Sequence, residues 1–141
     1  MPERQAFLDT NGWIALLNSS DTLHGAAASI WSELIQHGST IILTDWVVAE
    51  TGNGLARTSA RHRFPRAVEL IRNSPRARLL PVSGSLCRAA LDLYSSRSDK
   101  HWGLVDCASF LVMQEHRIFE AVTNDHHFEQ AGFKCLLPLV P

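Results

Sequence analysis

Short apolar runs alternate with stretches of helical periodicity along almost the whole chain, and this alternation limits the fold more than any other feature of the sequence. The run QAFLD, residues 5–9, reads as a strand closed by an acid; TNG then supplies turn chemistry, and WIALLN opens a helix. Ala27, Ile30, Trp31, Leu34 and Ile35 recur at helical spacing over about 24–37, with Gly38 at the stop position. TIILT, residues 40–44, is a buried β-branched strand, followed by a helix over about 47–57. Pro65 opens another helix that runs to Asn73. RLLPV belongs near a sheet edge or at a strand end, because Pro81 has no N–H to give to a ladder. Helices follow at 85–96, capped by Ser83 or Ser85, and through LVDCASFLVMQEH. EAVTND reads as a strand ending in an acid, HHFEQAG as a short helix closed by Gly132, and FKCLL as a last strand. The pattern predicts an α/β fold, a mainly parallel sheet covered on both faces. Ligands of such sheets bind outside the carboxyl ends of the strands, where Asp9, Asp45 and Asp125 fall.

With 141 residues and 45% apolar content, the chain suits a single packed domain over 1–141. Thirteen Lys plus Arg stand against 14 Asp plus Glu, which excludes an overall basic surface, so any site for a polyanion must be local. Cys87, Cys107 and Cys135 are widely separated and lack C-x-x-C spacing, which fits free thiols in a reducing compartment. No apolar stretch approaches the roughly 20 residues that span a bilayer, and MPERQAFLD lacks the apolar core of a signal peptide. A cytoplasmic protein with no membrane partner is the expectation.

The acids carry the chemistry. Asp106 lies in LVDCASFLVM, a segment apolar nearly all round, so its carboxylate should face the interior or a cleft. An ionised carboxylate there costs several kcal/mol unless a cation or strong donors offset it. Glu50 ends the apolar run WVVA, and Asp9 ends FL before a turn. No Lys or Arg lies within three residues of Asp9, Glu50, Asp106 or Asp125. Converging carboxylates repel one another, and Mg²⁺ or Mn²⁺ is the usual compensation. Such ions acidify water to make a nucleophile and stabilise charge at an attacked phosphate, so metal-assisted phosphodiester hydrolysis is the implied chemistry. The competing reading is that each acid merely faces a helix N-terminus.

FLDTNGWIALLN, TDWVVAETGNGLAR, LVDCASFLVMQE and TNDHHFEQAGF, in this order and spacing from Ala6 to about Leu137, resemble the PIN-domain family and in particular its VapC-type toxin ribonucleases. The resemblance implies a three-layer α/β/α sandwich with a divalent-cation site. It assigns metal binding and catalysis to Asp9, Glu50, Asp106 and Asp125, and supporting roles to Thr10, Asn11 and Ser109. It also implies an RNA substrate, an antitoxin lying across the active-site groove, and a homodimer. The asparagine of TND stands where the family commonly has an aromatic residue.

Seven arginines and His62 lie between Arg57 and Arg78 against the single acid Glu69, a local surplus suited to phosphate contacts or an acidic partner. Arg57, Arg61 and Arg63 are the candidates, with a solvated helix face as the alternative. His126 and His127 invite zinc, but adjacent residues rarely chelate one ion and no third His or Cys has supporting spacing. His101 and Trp102 could stack on a nucleotide, although packing is the simpler role; Trp13, Trp31 and Trp46 suit a core or an interface. A non-catalytic RNA-binding or RNA-processing module of the same fold has no need to concentrate negative charge where phosphate approaches. A phosphatase or receiver-like domain lacks support, because DTNG has no D-x-D pattern.

Overall fold

The structure is a computed structural model that describes residues 3–139. Five strands form one sheet: β1 (Gln5–Leu8), β2 (Thr40–Thr44), β3 (Ala77–Leu80), β4 (Glu120–Val122) and β5 (Lys134–Cys135), in the order β3-β2-β1-β4-β5. Every pairing is parallel, with Phe7 opposite Ile42 on one side and Ala121 on the other. The central run is buried throughout, as an all-parallel sheet requires: Ala6, Phe7, Leu8, Ile42, Leu43, Ala121 and Val122 have no exposure.

Among the described residues seven helices connect the strands: α1 (Thr10–Leu17), α2 (His24–Gln36), α3 (Asp45–Leu55), α4 (Phe64–Asn73), α5 (Gly84–Ser96), α6 (Leu104–Glu115) and α7 (His126–Gln130), with a 3-10 turn at Ser59–Arg63. The chain first steps outward from β1 through β2 to β3, then returns across the sheet to β4 and β5. Right-handed crossovers therefore put α1–α4 on one face and α5–α7 on the other, giving the three-layer α/β/α sandwich. Contacts agree: α1 packs on α2 and α3, and α6 packs on α5 and α7. The strand order reverses between β1 and β4, which is where a doubly wound sheet opens a crevice at its carboxyl edge. No helix of the described residues is long and apolar enough to cross a membrane.

Several local expectations shift. The TNG segment is no turn: Asp9 has extended backbone, and α1 starts at once with Thr10. Gly12 serves close packing instead, since a Cβ there would lie 1.9 Å from the carbonyl oxygen of Val122. That contact seats the first turn of α1 against the end of β4. Helix α3 starts two residues earlier than its apolar pattern suggests, because Thr44 Oγ1 accepts from the Val47 N–H and caps it. Asp45, now the first residue of that helix, accepts from the Val82 N–H and ties down the exit of β3. Strand β4 stops at Val122, so TND forms the lead-in to α7; β5 keeps only Lys134–Cys135. β3 does lie at the sheet edge with Pro81 just beyond it, and Ser83 caps α5.

Candidate active site

Three of the four acids stand at helix N-termini above the switch point. Asp9 precedes α1 directly after β1, Asp125 precedes α7 after β4, and Asp106 occupies the first turn of α6. The local sequence explains each placement. The side chain of Asp125 caps its helix by accepting from the His127 N–H at 2.9 Å, while Asp106 Oδ2 accepts from the Gly103 N–H at 3.0 Å. Helix-end roles are therefore present, but they do not account for Asp9. That residue is 3% exposed, and its side chain makes no cap bond.

Thr123, fully buried at the end of β4, joins the loops. Its hydroxyl lies 2.8 Å from Asp9 Oδ2 and 2.7 Å from Asn11 Oδ1, and it accepts from the Asp125 N–H at 3.0 Å. With a single proton to give, the hydroxyl donates to Asp9 or Asn11, one at a time. Asn11 Oδ1 also faces the Asn124 N–H at 3.4 Å, so Asn11 braces the β4–α7 connection. Thr10 donates its hydroxyl to Glu50 Oε1 at 2.6 Å, which places the exposed Glu50 of α3 beside the start of α1. Ser109 is buried, but its hydroxyl donates to the Val105 carbonyl one turn back and is engaged within α6.

The electrostatics are those of carboxylates crowded without cations. Burial, and next the charge of Asp106, push the Asp9 carboxyl up to about 8, against the smaller opposing effect of the Thr123 hydroxyl. Burial likewise raises Asp106, with the Gly103 N–H pulling the other way and Asp125 adding repulsion. Among the described residues no Lys or Arg pairs with any of the four acids. What faces Asp106 and Asp125 is His127, whose Nδ1 is 3.3 Å from Asp106 Oδ2 and 3.3 Å from Asp125 Oδ1. Asp125, His126 and His127 each offer one donor atom within 4.8 Å of the others. Hard oxygen donors without competing cations fit a divalent ion.

Sequence reasoning did not single out Thr123, and it did not bring His127 beside Asp106. A threonine in a β-branched run reads as a strand former, and only its zero exposure two residues before an acid marks it as polar machinery. The carboxylate facing the His127 ring comes from Asp106, 21 residues away, a tertiary pairing that local spacing does not display. Arg57, Arg61 and Arg63 are exposed, but Arg61 donates to the Ala56 carbonyl and Arg63 to that of Leu17, at the far end of α1. Arg63 therefore sits roughly one helix length, about 12 Å, from the end of α1 that follows Asp9. Trp102 has a packing role: it is 7% exposed, donates to Gln130 Oε1 and lies under the Arg97 guanidinium.

The PIN domain family profile matches residues 6–134, the span that holds all four acids. The crystal structure of VapC20 from Mycobacterium tuberculosis, described as a sarcin-ricin loop cleaving toxin, has 30% identity and a TM-score of 0.83, covering 94% of this chain and 99% of that one. VapBC2 from Rickettsia felis, bound to a DNA fragment from its promoter, has 15% identity and a TM-score of 0.66 over 93% of this chain and 96% of that one. FitAcB from Neisseria gonorrhoeae has 19% identity and a TM-score of 0.62 over 92% and 94%. Among curated protein sequences none matches. The two less identical structures share the fold, while the family profile and the match to VapC20 reach into the sequence; the chain belongs to the PIN-domain family.

Proposed function

We propose that this protein is a divalent-metal-dependent endoribonuclease, the toxin of a type II toxin-antitoxin pair. One observation carries the reading: Asp9, Asp106 and Asp125 stand at the switch point close enough for the charges of Asp106 and Asp125 to push up the Asp9 carboxyl, with no Lys or Arg among the described residues to balance them. A binding-only surface for RNA would gain nothing from that arrangement. Asp9, Asp106 and Asp125 would hold the cation, with Glu50, exposed and oriented by the Thr10 hydroxyl, beside the start of α1. When bound, Mg²⁺ or Mn²⁺ supplies charge stabilisation at the phosphate and lowers the pKa of water. The Thr123 hydroxyl and the closely packed Gly12 fix Asp9 relative to Asp125, so the cation's ligands are positioned before substrate arrives. Likeness to toxins also supports a cognate antitoxin, a homodimer and a cytoplasmic setting as parts of this reading.

The experiment is cleavage of RNA by the purified chain with Mg²⁺ or Mn²⁺, and with EDTA. The substrates include a sarcin-ricin loop oligonucleotide, since a relative of 30% identity is described as cleaving that loop. Activity should require the ion and disappear in EDTA. Undiminished cleavage in chelator would overturn the metal-dependent mechanism.

A further inference from the structure

We propose that His127 Nδ1 is a direct ligand of the cation held by Asp106 and Asp125, which makes the centre a mixed nitrogen and oxygen site that favours first-row transition ions over Mg²⁺. The inference rests on the metal-dependent reading above and specifies one of its ligands.

Geometry carries it. His127 Nδ1 lies 3.3 Å from one oxygen of each of two carboxylates that come from different elements, Asp106 of α6 and Asp125 before α7. Around an ion with metal–ligand bonds of about 2.0–2.2 Å, neighbouring donors sit roughly 2.8–3.6 Å apart in octahedral or tetrahedral arrangement. Hydrogen bonding explains the pair of distances less well. A ring nitrogen carries at most one proton and can serve only one carboxylate, and charge-assisted N–H···O bonds are shorter, about 2.7–2.9 Å. The imidazole is also held in place. Its side chain is 19% exposed, the His126 ring lies against it at 4.5 Å between centroids, and the next residue, Phe128, is fully buried in the aromatic cluster with Phe7 and Phe110. His126 differs: its side chain is 66% exposed, and its Nδ1 approaches only Asp125, at 3.8 Å.

Donor chemistry sets the consequence. Oxygen-only sites suit Mg²⁺, whereas an imidazole raises affinity along the series from Mn²⁺ towards Co²⁺ and Zn²⁺. Full-length protein loaded with Mn²⁺ should show ¹⁴N modulation in its electron spin echo, converted to the ¹⁵N pattern when histidines are ¹⁵N-labelled. The modulation should vanish in His127→Ala and persist in His126→Ala. By calorimetry, His127→Ala should weaken Co²⁺ binding by at least about tenfold, the lower end of what even an outer partner of a ligand contributes, and change Mg²⁺ binding by much less. Mn²⁺ binding that Asp106→Asn weakens, but with no nitrogen modulation in the unmutated chain, would overturn the His127 assignment and leave the metal centre standing. Nitrogen modulation lost in His126→Ala and kept in His127→Ala would overturn it as well. Failure of the unmutated chain to bind Mn²⁺ at all would remove both the assignment and the reading on which it rests.

Discussion

The two ends of the parallel sheet treat acidic side chains in opposite ways. At the amino end, Arg4 Nε donates to Glu120 at 2.6 Å and its Nη1 to Glu33 at 3.0 Å, while Arg76 approaches Glu3 at 3.8 Å. Each of these three acids has an arginine. At the carboxyl end, Asp9, Asp106 and Asp125 crowd together with hydroxyl, amide and imidazole partners only, and the most buried of them is held as a protonated acid up to about pH 8. Glu3, Glu33 and Glu120 have arginine partners, whereas among the described residues Asp9, Asp106 and Asp125 have no Lys or Arg, and that contrast is what an exchangeable cation would explain.

The largest stability effect should come from breaking the crowded end. The folded chain binds the Asp9 proton up to about pH 8, whereas the unfolded chain releases it near the ordinary value. In metal-free buffer stability should therefore fall as pH rises between those limits, the native state being the one that holds the extra proton. Asp9→Asn removes this term. At about 1.4 kcal/mol per pKa unit, its advantage over the unmutated chain should grow from near zero around pH 4 to several kcal/mol at pH 8. Denaturant melts in EDTA across that range would show it, and a pH-independent difference would contradict the electrostatic account.

A smaller change is expected at the paired end. Arg4→Ala strips partners from the half-buried Glu120 and the exposed Glu33 and should cost about 1 kcal/mol. RNA cleavage should be untouched. A cleavage defect in a folded Arg4→Ala protein would mean that the two ends are not separate. Smallest in stability is the arginine segment, where Arg57, Arg61 and Arg63 replaced together by Ala should leave the melt nearly unchanged. The replacement should weaken RNA or antitoxin binding and flatten its dependence on salt. Titrations at two salt concentrations measure this, and an unchanged slope would assign the segment to solvated surface and to bracing the Ala56 and Leu17 carbonyls.

How far the sequence speaks differs between the ends in the same way. Periodicity reveals the helices through one apolar face and the strands through short continuous apolar runs, and Asp9, Glu50 and Asp106 stand out because they interrupt or end such runs. The Arg4–Glu120 pair spans 116 residues and Thr123–Asp9 spans 114, and such pairings exist only once the sheet order is known. Gly12 looked like a turn residue because glycine favours turns, yet its use is the absence of a Cβ against Val122. Strand ends shift for a related reason: β4 stops at Val122, and in TND the capping chemistry of Asp125 opens α7 instead of extending the strand.

The central claim is that the carboxylates without a Lys or Arg partner exist to hold a cation. Asp106→Asn tests it most directly, because the change is nearly isosteric and asparagine Oδ1 can still accept from the Gly103 N–H. The measurement joins a thermal melt in EDTA with RNA cleavage in Mg²⁺ or Mn²⁺. The expected result is a folded protein, as stable as the unmutated chain or more so without metal, whose cleavage falls by about two or more orders of magnitude. A folded Asp106→Asn protein that cleaves RNA at a near-normal rate would contradict the account.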